Sequence, residues 1–379
     1  GEPVYVTLMV ASCLVNYALG RAIETHRGTP TAKTALVASI VANLLALGFF
    51  KYADFLIETV NHLLGTQIGL LALPLPIGIS FYTFQALSYI VDVYRGRVRV
   101  QKNLVKLAAY ITLFPQLVAG PIVRYPQIAP DLDRREHSLD LFAQGVHRFV
   151  LGLGKKVLIA NNVGAIWTSA TTTTAPSVLG SWLGIVAYAL QIYYDFSGYS
   201  DMAIGLGRML GFHLPENFNY PYVSQSITEF WRRWHMSLGQ WFRDYVYIPL
   251  GGNRVSRFMW VRNVLVVWFL TGLWHGASWN FCLWGLYFGI LLMVEKLFLG
   301  RLLERLPRAV RHAYALTIVL IGWTLFELGS PPEIQGYLGD MFALNGAALS
   351  TPEALYILRS NLILLLLAAL GALPLIKTA

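Results

Sequence analysis

The sequence predicts an all-α, polytopic integral membrane protein, a bundle of roughly eight to eleven helices including re-entrant segments. Three observations carry this reading. Hydrophobic residues make up 56% of the 379, while charged residues are only 13%, about half the share in an ordinary soluble domain. Apolar runs recur along almost the whole chain at lengths near the ~20 residues a helix needs to cross a bilayer. The cations collect in short loops between those runs, which places the net charge of +9 under the positive-inside rule. The same composition excludes a disordered chain, a coiled coil and a disulfide-stapled secreted domain. Nucleic-acid binding is not expected, because no basic helix or RNA-type aromatic motif stands out.

Taken in order, the expected spans are 4–22, 34–50, 70–93, 104–123, 178–194, 262–274 with 278–299, 312–329 and 354–373. Segments 140–163 and 198–212 are apolar but interrupted by His147, Arg148, Lys155, Lys156 and Arg208. They read as re-entrant or interfacial pieces, which need protein or a watery cavity around them. The whole of 1–379 reads as a single membrane-embedded domain without a linker. The first apolar stretch leads directly into further membrane segments and does not resemble a cleavable signal. No internal repeat is visible, which argues against a transporter built from inverted halves. Cys13 and Cys282 sit in apolar runs with no CxxC spacing, so buried free thiols are expected and no metal site.

Orientation follows from the loops. Arg21, Arg27 and Lys33 mark one loop as cytoplasmic, and Arg95, Arg97, Arg99, Lys102 and Lys106 mark another. Arg254, Arg257 and Arg262 precede segment 262–299, and Arg301, Arg305, Arg308 and Arg311 follow it. That segment should enter and leave on the same side, turning around Trp274-His275-Gly276.

Ionisable residues inside such segments are costly and are candidates for function. His275 lies thirteen residues beyond Arg262, about 20 Å along a helix and past the midplane of a ~30 Å core. It reads either as a neutral core histidine bonded to a carbonyl or as a general base near pH 7. His235 follows a capping box, Ser226 and Glu229, that should start a helix. On that helix Trp231, Trp234, His235, Leu238 and Trp241 share one face, and Glu229 can pair with Arg233. An interfacial helix with a Trp belt explains the tryptophans but not a histidine on the apolar face. The run from Tyr193 to Asp201 reads either as a helix break capped by Asp and Ser or as the polar wall of a buried site through Asp195, Ser197 and Tyr199. Around Pro115, Gly120 and Pro121 a helix should bend. Asp92, Glu295 and Lys296 read as helix-end residues, and Glu327 lies deep in an apolar helix with no evident mate.

Five ordered blocks then resemble the membrane-bound O-acyltransferase family, most of all its alginate O-acetyltransferase branch. They are FYTFQALSYIVDVYRG at 81–96, FPQLVAGPIVRY at 114–125, QIYYDFSGYSDMAIGLG at 191–207, SITEFWRRWHMSLGQWFRDYVYIPLGGNR at 226–254 and LTGLWHGASWNFCLWGLYFG at 270–289. The likeness covers about 75–300; members of the branch usually extend further at the C-terminus. Teichoic-acid D-alanyl transferases share the WRRWHMSL-like helix, and peptidoglycan O-acetyltransferases resemble the branch closely.

The resemblance implies a membrane-embedded catalytic histidine at His275 and a second active-site histidine at His235. Trp234 and Trp274 would then shape the wall of a substrate tunnel. The implied reaction moves an acyl group, most simply acetyl, from a cytoplasmic thioester such as acetyl-CoA or an acyl carrier to a hydroxyl on an extracytoplasmic protein or polysaccharide. No bound cofactor or metal is implied. The setting is a bacterial inner membrane, with lipid all round. The competing reading is a flippase or transporter of an acylated or lipid-linked sugar, with the histidines along its path.

Overall fold

In the computed structural model, which describes residues 4–375, the regular structure is helical apart from an isolated parallel bridge between Ser177 and Ala348. Among the described residues, six helical stretches are long and apolar enough to cross a membrane: Val6–Thr25, Pro30–Leu64, Leu139–Thr171, Trp279–Leu303, Arg308–Glu327 and Pro352–Gly371. The chain forms two compact units, one of residues 1–149 with 203–215 and one of 150–202 with 216–379.

In the first unit α1 (Val6–Thr25) and α2 (Pro30–Leu64) form a hairpin. Its seam is polar: the Ser39 hydroxyl and the Asn43 amide both donate to Asn16 Oδ1, at 2.8 and 3.0 Å. Side-chain hydrogen bonds hold helices together in lipid, where apolar faces have no water to escape. The expected span 70–93 is helical only from Ile79 to Tyr94, as α3. Pro74 and Pro76 lack the amide protons a helix would use. Instead the backbone of Leu71 and Ala72 donates to the Asp54 carboxylate at 2.7 and 3.0 Å.

The expected span 104–123 is also broken, into α4 (Leu104–Thr112) and the four-residue α5 (Phe114–Leu117). Pro115 and the Gly120-Pro121 pair prevent a continuous helix. After them come α6 (Tyr125–Asp133) and α7 (Leu139–Gly154). Gly145 lies against the backbone of Gly205, so a methyl group at either would strike the other's carbonyl oxygen. Asp92, read as a helix-end residue, is buried and faces Arg97.

The second unit begins inside the long helix. A π-helical turn, Lys155–Ala160, joins α7 to α8 (Asn161–Thr171), so 139–171 runs on without re-entering. Likewise α9 (Val178–Met209) is one continuous helix of 32 residues. The helix break that is one reading of the run 193–201 is therefore absent, and 198–209 continues the helix rather than re-entering. The acids there are accommodated by pairing: Lys155 Nζ lies 2.7 Å from Asp201 Oδ2, and Lys156 pairs with Asp195. Paired charges can stay inside a membrane helix where lone ones cannot.

Next come α10 (Ile227–Arg233) and α11 (Met236–Phe242), then α12 (Arg257–His275) and α13 (Trp279–Val294). The last two form an antiparallel hairpin that turns at His275–Ser278, as the basic loops at its two outer ends require. Glycine sets its closeness: Gly272 lies on the Phe281 carbonyl and Gly285 on the Trp268 carbonyl, leaving no room for a Cβ. A π-helical turn (Glu295–Leu299) leads into α14 (Gly300–Leu303). The unit ends with α15 (Arg308–Glu327), expected at 312–329, with α16 (Pro331–Met341), which the sequence pattern does not mark, and with α17 (Pro352–Gly371). Its core is aromatic, with Trp284, Trp323, Phe230 and Phe288 all fully buried.

Candidate active site

The helix expected after Ser226 begins as its residues require. Ser226 Oγ accepts the Glu229 amide at 3.0 Å, and Arg233 pairs with Glu229 one turn on. It does not continue through His235. Trp234 is extended and His235 adopts a left-handed backbone, φ 44°, before α11 starts. The single face that uniform helical spacing assigned to Trp231, Trp234, His235, Leu238 and Trp241 is thus split between two helices joined by an elbow.

The elbow brings His235 to His275, with ring centroids 6.4 Å apart. Trp274 flanks both rings, 5.7 Å from His235 and 5.1 Å from His275. His275 is the last residue of α12, half-buried, with Trp284 and Phe326 at 5.0 and 5.3 Å. His235 is 2% exposed, and among the described residues neither of its ring nitrogens has a hydrogen-bond partner. It lies outside the six candidate spans. Burial holds its imidazole well below the usual histidine range, and the neighbouring His275 acts in the same direction. It is therefore neutral near pH 7, with one nitrogen to donate and one to accept.

A cavity of about 830 Å³ leads to His235. Two helix faces line it. On α11 these are His235, Leu238, Gly239 and Phe242, at helical spacing. On α12 they are Trp260, Val264, Val267, Trp268 and Thr271, a stripe about 16 Å long at helical rise that stops one turn short of His275. At the far end the Trp260 indole donates to Tyr247 at 3.1 Å, and charges of both signs border the space: Arg232, Arg243, Lys296 and Arg311 with Glu229, Glu295 and Glu304. The cavity thus has a charged border of mixed sign, apolar walls and a neutral histidine at its head.

Of the residues singled out from sequence, the structure gathers His235, His275, Trp274 and Trp234. Trp234, 3% exposed, packs against Trp323 with ring centroids 4.8 Å apart and lines the cavity; Trp274 lies beside both histidines. Asp195, Ser197 and Tyr199 are not among the described residues lining the cavity. Asp195 is occupied by Lys156, and Ser197 is buried within α9. The member of that run that reaches the site is Phe196, whose ring sits 4.7 Å from His235. Position could have found it: with Tyr193 one turn earlier it continues the face of α9 that packs on Trp234 and Phe218.

Glu295 was also missed. It is 5% exposed and lines the cavity. Its carboxylate accepts the amides of Ile227 and Thr228 at 2.6 and 2.8 Å, the Thr228 hydroxyl at 2.6 Å and the Tyr314 hydroxyl at 3.2 Å. A carboxylate on a helix N-terminus satisfies orphan amides and favours the dipole. Glu327, by contrast, is exposed at the end of α15 and meets Tyr188. Both cysteines are buried free thiols.

A multi-pass helical membrane protein with one histidine at the head of a cavity and a second facing it is an arrangement suited to an intramembrane group-transfer enzyme. The chain belongs to the membrane-bound O-acyltransferase family, whose model matches residues 96–321, and it is an acyltransferase rather than a flippase. It is 42% identical over 352 residues to a probable alginate O-acetylase of Azotobacter vinelandii, covering 91% of this chain and 70% of that protein. Identity to its Pseudomonas aeruginosa counterpart is 43% over 329 residues, 85% of this chain and 63% of the relative. A peptidoglycan O-acetyltransferase of Helicobacter pylori is 34% identical over 378 residues, covering 91% and 71%.

Proposed function

We propose that the chain O-acetylates an extracytoplasmic polysaccharide, of the alginate type, from a cytoplasmic acetyl thioester across a bacterial inner membrane. The observation that carries this is the cavity, bordered by charged residues, that reaches His235, 6.4 Å from His275. A thioester on a pantetheine-type arm suits it: phosphates at Arg243, Lys296 and Arg311, the arm between α11 and α12, and the acyl carbon at the histidines. The basic loops also follow from membrane orientation, so the cavity and not the charge supports the donor reading.

His275 lies at the hairpin turn, at the opposite end of α12 from Trp260 and Lys296. There it serves as general base for the acceptor hydroxyl. The hydroxyl oxygen attacks the thioester carbon as its proton passes to His275. The C–S bond then breaks, and the thiolate recovers that proton. Neutral His235 donates a hydrogen bond to the oxyanion of the tetrahedral intermediate, in a dry site where such a bond is strongest. Trp234, Trp274 and Phe196 fix the rings and exclude water. Alginate as acceptor is supported by the higher identity to the alginate O-acetylases than to the peptidoglycan enzyme.

The test is transfer of label from radiolabelled acetyl-CoA by purified protein, with alginate and with peptidoglycan fragments as acceptors. Wild type is expected to label the alginate, and His275→Ala to lower the rate about 100- to 10,000-fold. Full activity in a folded His275→Ala protein would remove it as the base. Labelling of peptidoglycan alone would move the acceptor.

A further inference from the structure

His235 occupies the N-cap of α11, a position where Ser, Thr, Asp or Asn normally supplies a side-chain acceptor for the first free amides. Its own side chain makes no such bond. Asn217, eighteen residues earlier and 1% exposed, supplies it from outside the helix. Its backbone carbonyl accepts the Met236 amide at 2.9 Å. Its side-chain Oδ1 accepts the Ser237 amide at 3.2 Å and the Ser237 hydroxyl at 2.8 Å. Two residues on, the Asn219 amide donates to the Arg233 carbonyl at 2.9 Å, and Arg233 returns a bond to the Asn219 carbonyl at 3.1 Å. The segment 217–219 thus lies along both arms of the elbow. A left-handed backbone at a residue with a Cβ persists only where its surroundings over-determine it.

We propose that Asn217 is a positioning residue for acyl transfer: by taking over the cap of α11 it holds the left-handed elbow and leaves both His235 ring nitrogens for the reactants. The Asn217 amide nitrogen has no partner among the described residues, so the acceptor oxygen is the working atom. This rests on the transfer reading given above for its consequence, but the cap itself is measurable without activity.

Two measurements test it. Hydrogen exchange on the purified protein should show the peptide covering 235–239 exchanging about tenfold faster in Asn217→Ala, with the α12 peptides unchanged. Asn217→Asp, which keeps the acceptor, should stay close to wild type. Unchanged exchange in Asn217→Ala overturns the proposal whatever the activity. In acetyl transfer, Asn217→Ala should cost roughly 10- to 100-fold in kcat with KM for the thioester little moved, Asn217→Asp should recover most of it, and the same change made in a His235→Ala background should cost no more than about 2-fold further. Losses that multiply would make Asn217 a general prop of the fold and also overturn the proposal. Faster exchange in a protein whose wild type transfers no label would leave the cap standing and sink the transfer reading instead.

Discussion

His235 is the residue on which backbone, burial and chemistry meet. Its backbone is left-handed, its ring is walled by Phe196, Trp274 and His275, and its nitrogens are unengaged among the described residues. Such a histidine costs stability in acid. The folded state keeps it neutral, because its pKa lies well below the usual value, while the unfolded chain protonates it below about pH 6.5. The unfolded state then binds more protons, so stability is full above that value and falls as pH drops below it. Between pH 7 and pH 5 in detergent, the wild type should lose apparent melting temperature faster than His235→Gln; parallel losses would mean that the imidazole is not held neutral. Both histidines are legible as candidates, His275 as a titratable group in an apolar run and His235 as a histidine on the apolar face of an amphipathic helix. Phe196 was hidden because a phenylalanine in a membrane helix is unremarkable until its neighbour is known.

At the scale of elements, the site depends on how short helices are tied to long ones. α10 is only seven residues, too short to be stable alone. It is anchored by Glu295, whose burial at the end of α13 looked like an ordinary helix terminus in sequence. Glu295→Ala strands the Ile227 and Thr228 amides, each at about 1–3 kcal/mol when buried without a partner. The expected result is a lower apparent melting temperature and a large loss of transfer, with Glu295→Gln intermediate; a neutral Glu295→Ala would mean that water replaces the carboxylate freely. The local signals that did read correctly were those set by neighbours in the chain: the Ser226 cap, the Glu229–Arg233 pair and the hairpin turn at His275. Local reading erred over 70–78 and 104–123, where it followed apolar content past prolines that the backbone could not ignore. It erred in the opposite direction at 140–163, 198–212 and the run 193–201, where charged residues read as interruptions although Lys155 pairs with Asp201 and Lys156 with Asp195.

For the whole molecule, the loops give an orientation that can be checked directly. The hairpin requires 252–256 and 304–307 on one side and 276–278 on the other. Single cysteines placed at Asn253 and Ser278, in a background where the buried Cys13 and Cys282 are left in place, should differ in labelling by an impermeant thiol reagent on intact cells. Asn253 should react only after permeabilisation and Ser278 without it; the reverse would invert the proposed direction of transfer. The sequence alone determined that this chain crosses a membrane many times as helices, where its basic loops fall, and that two histidines lie where titratable groups are expensive. Those properties follow from apolar transfer and helical period, which act over a few neighbouring residues. Only the tertiary structure decided that His235 turns out of its helix to meet His275, that Asn217 caps the start of α11 and Glu295 the start of α10, and that a cavity reaches His235. Each of those is a contact between residues far apart in the chain, chosen by packing and hydrogen-bond satisfaction that no local pattern records.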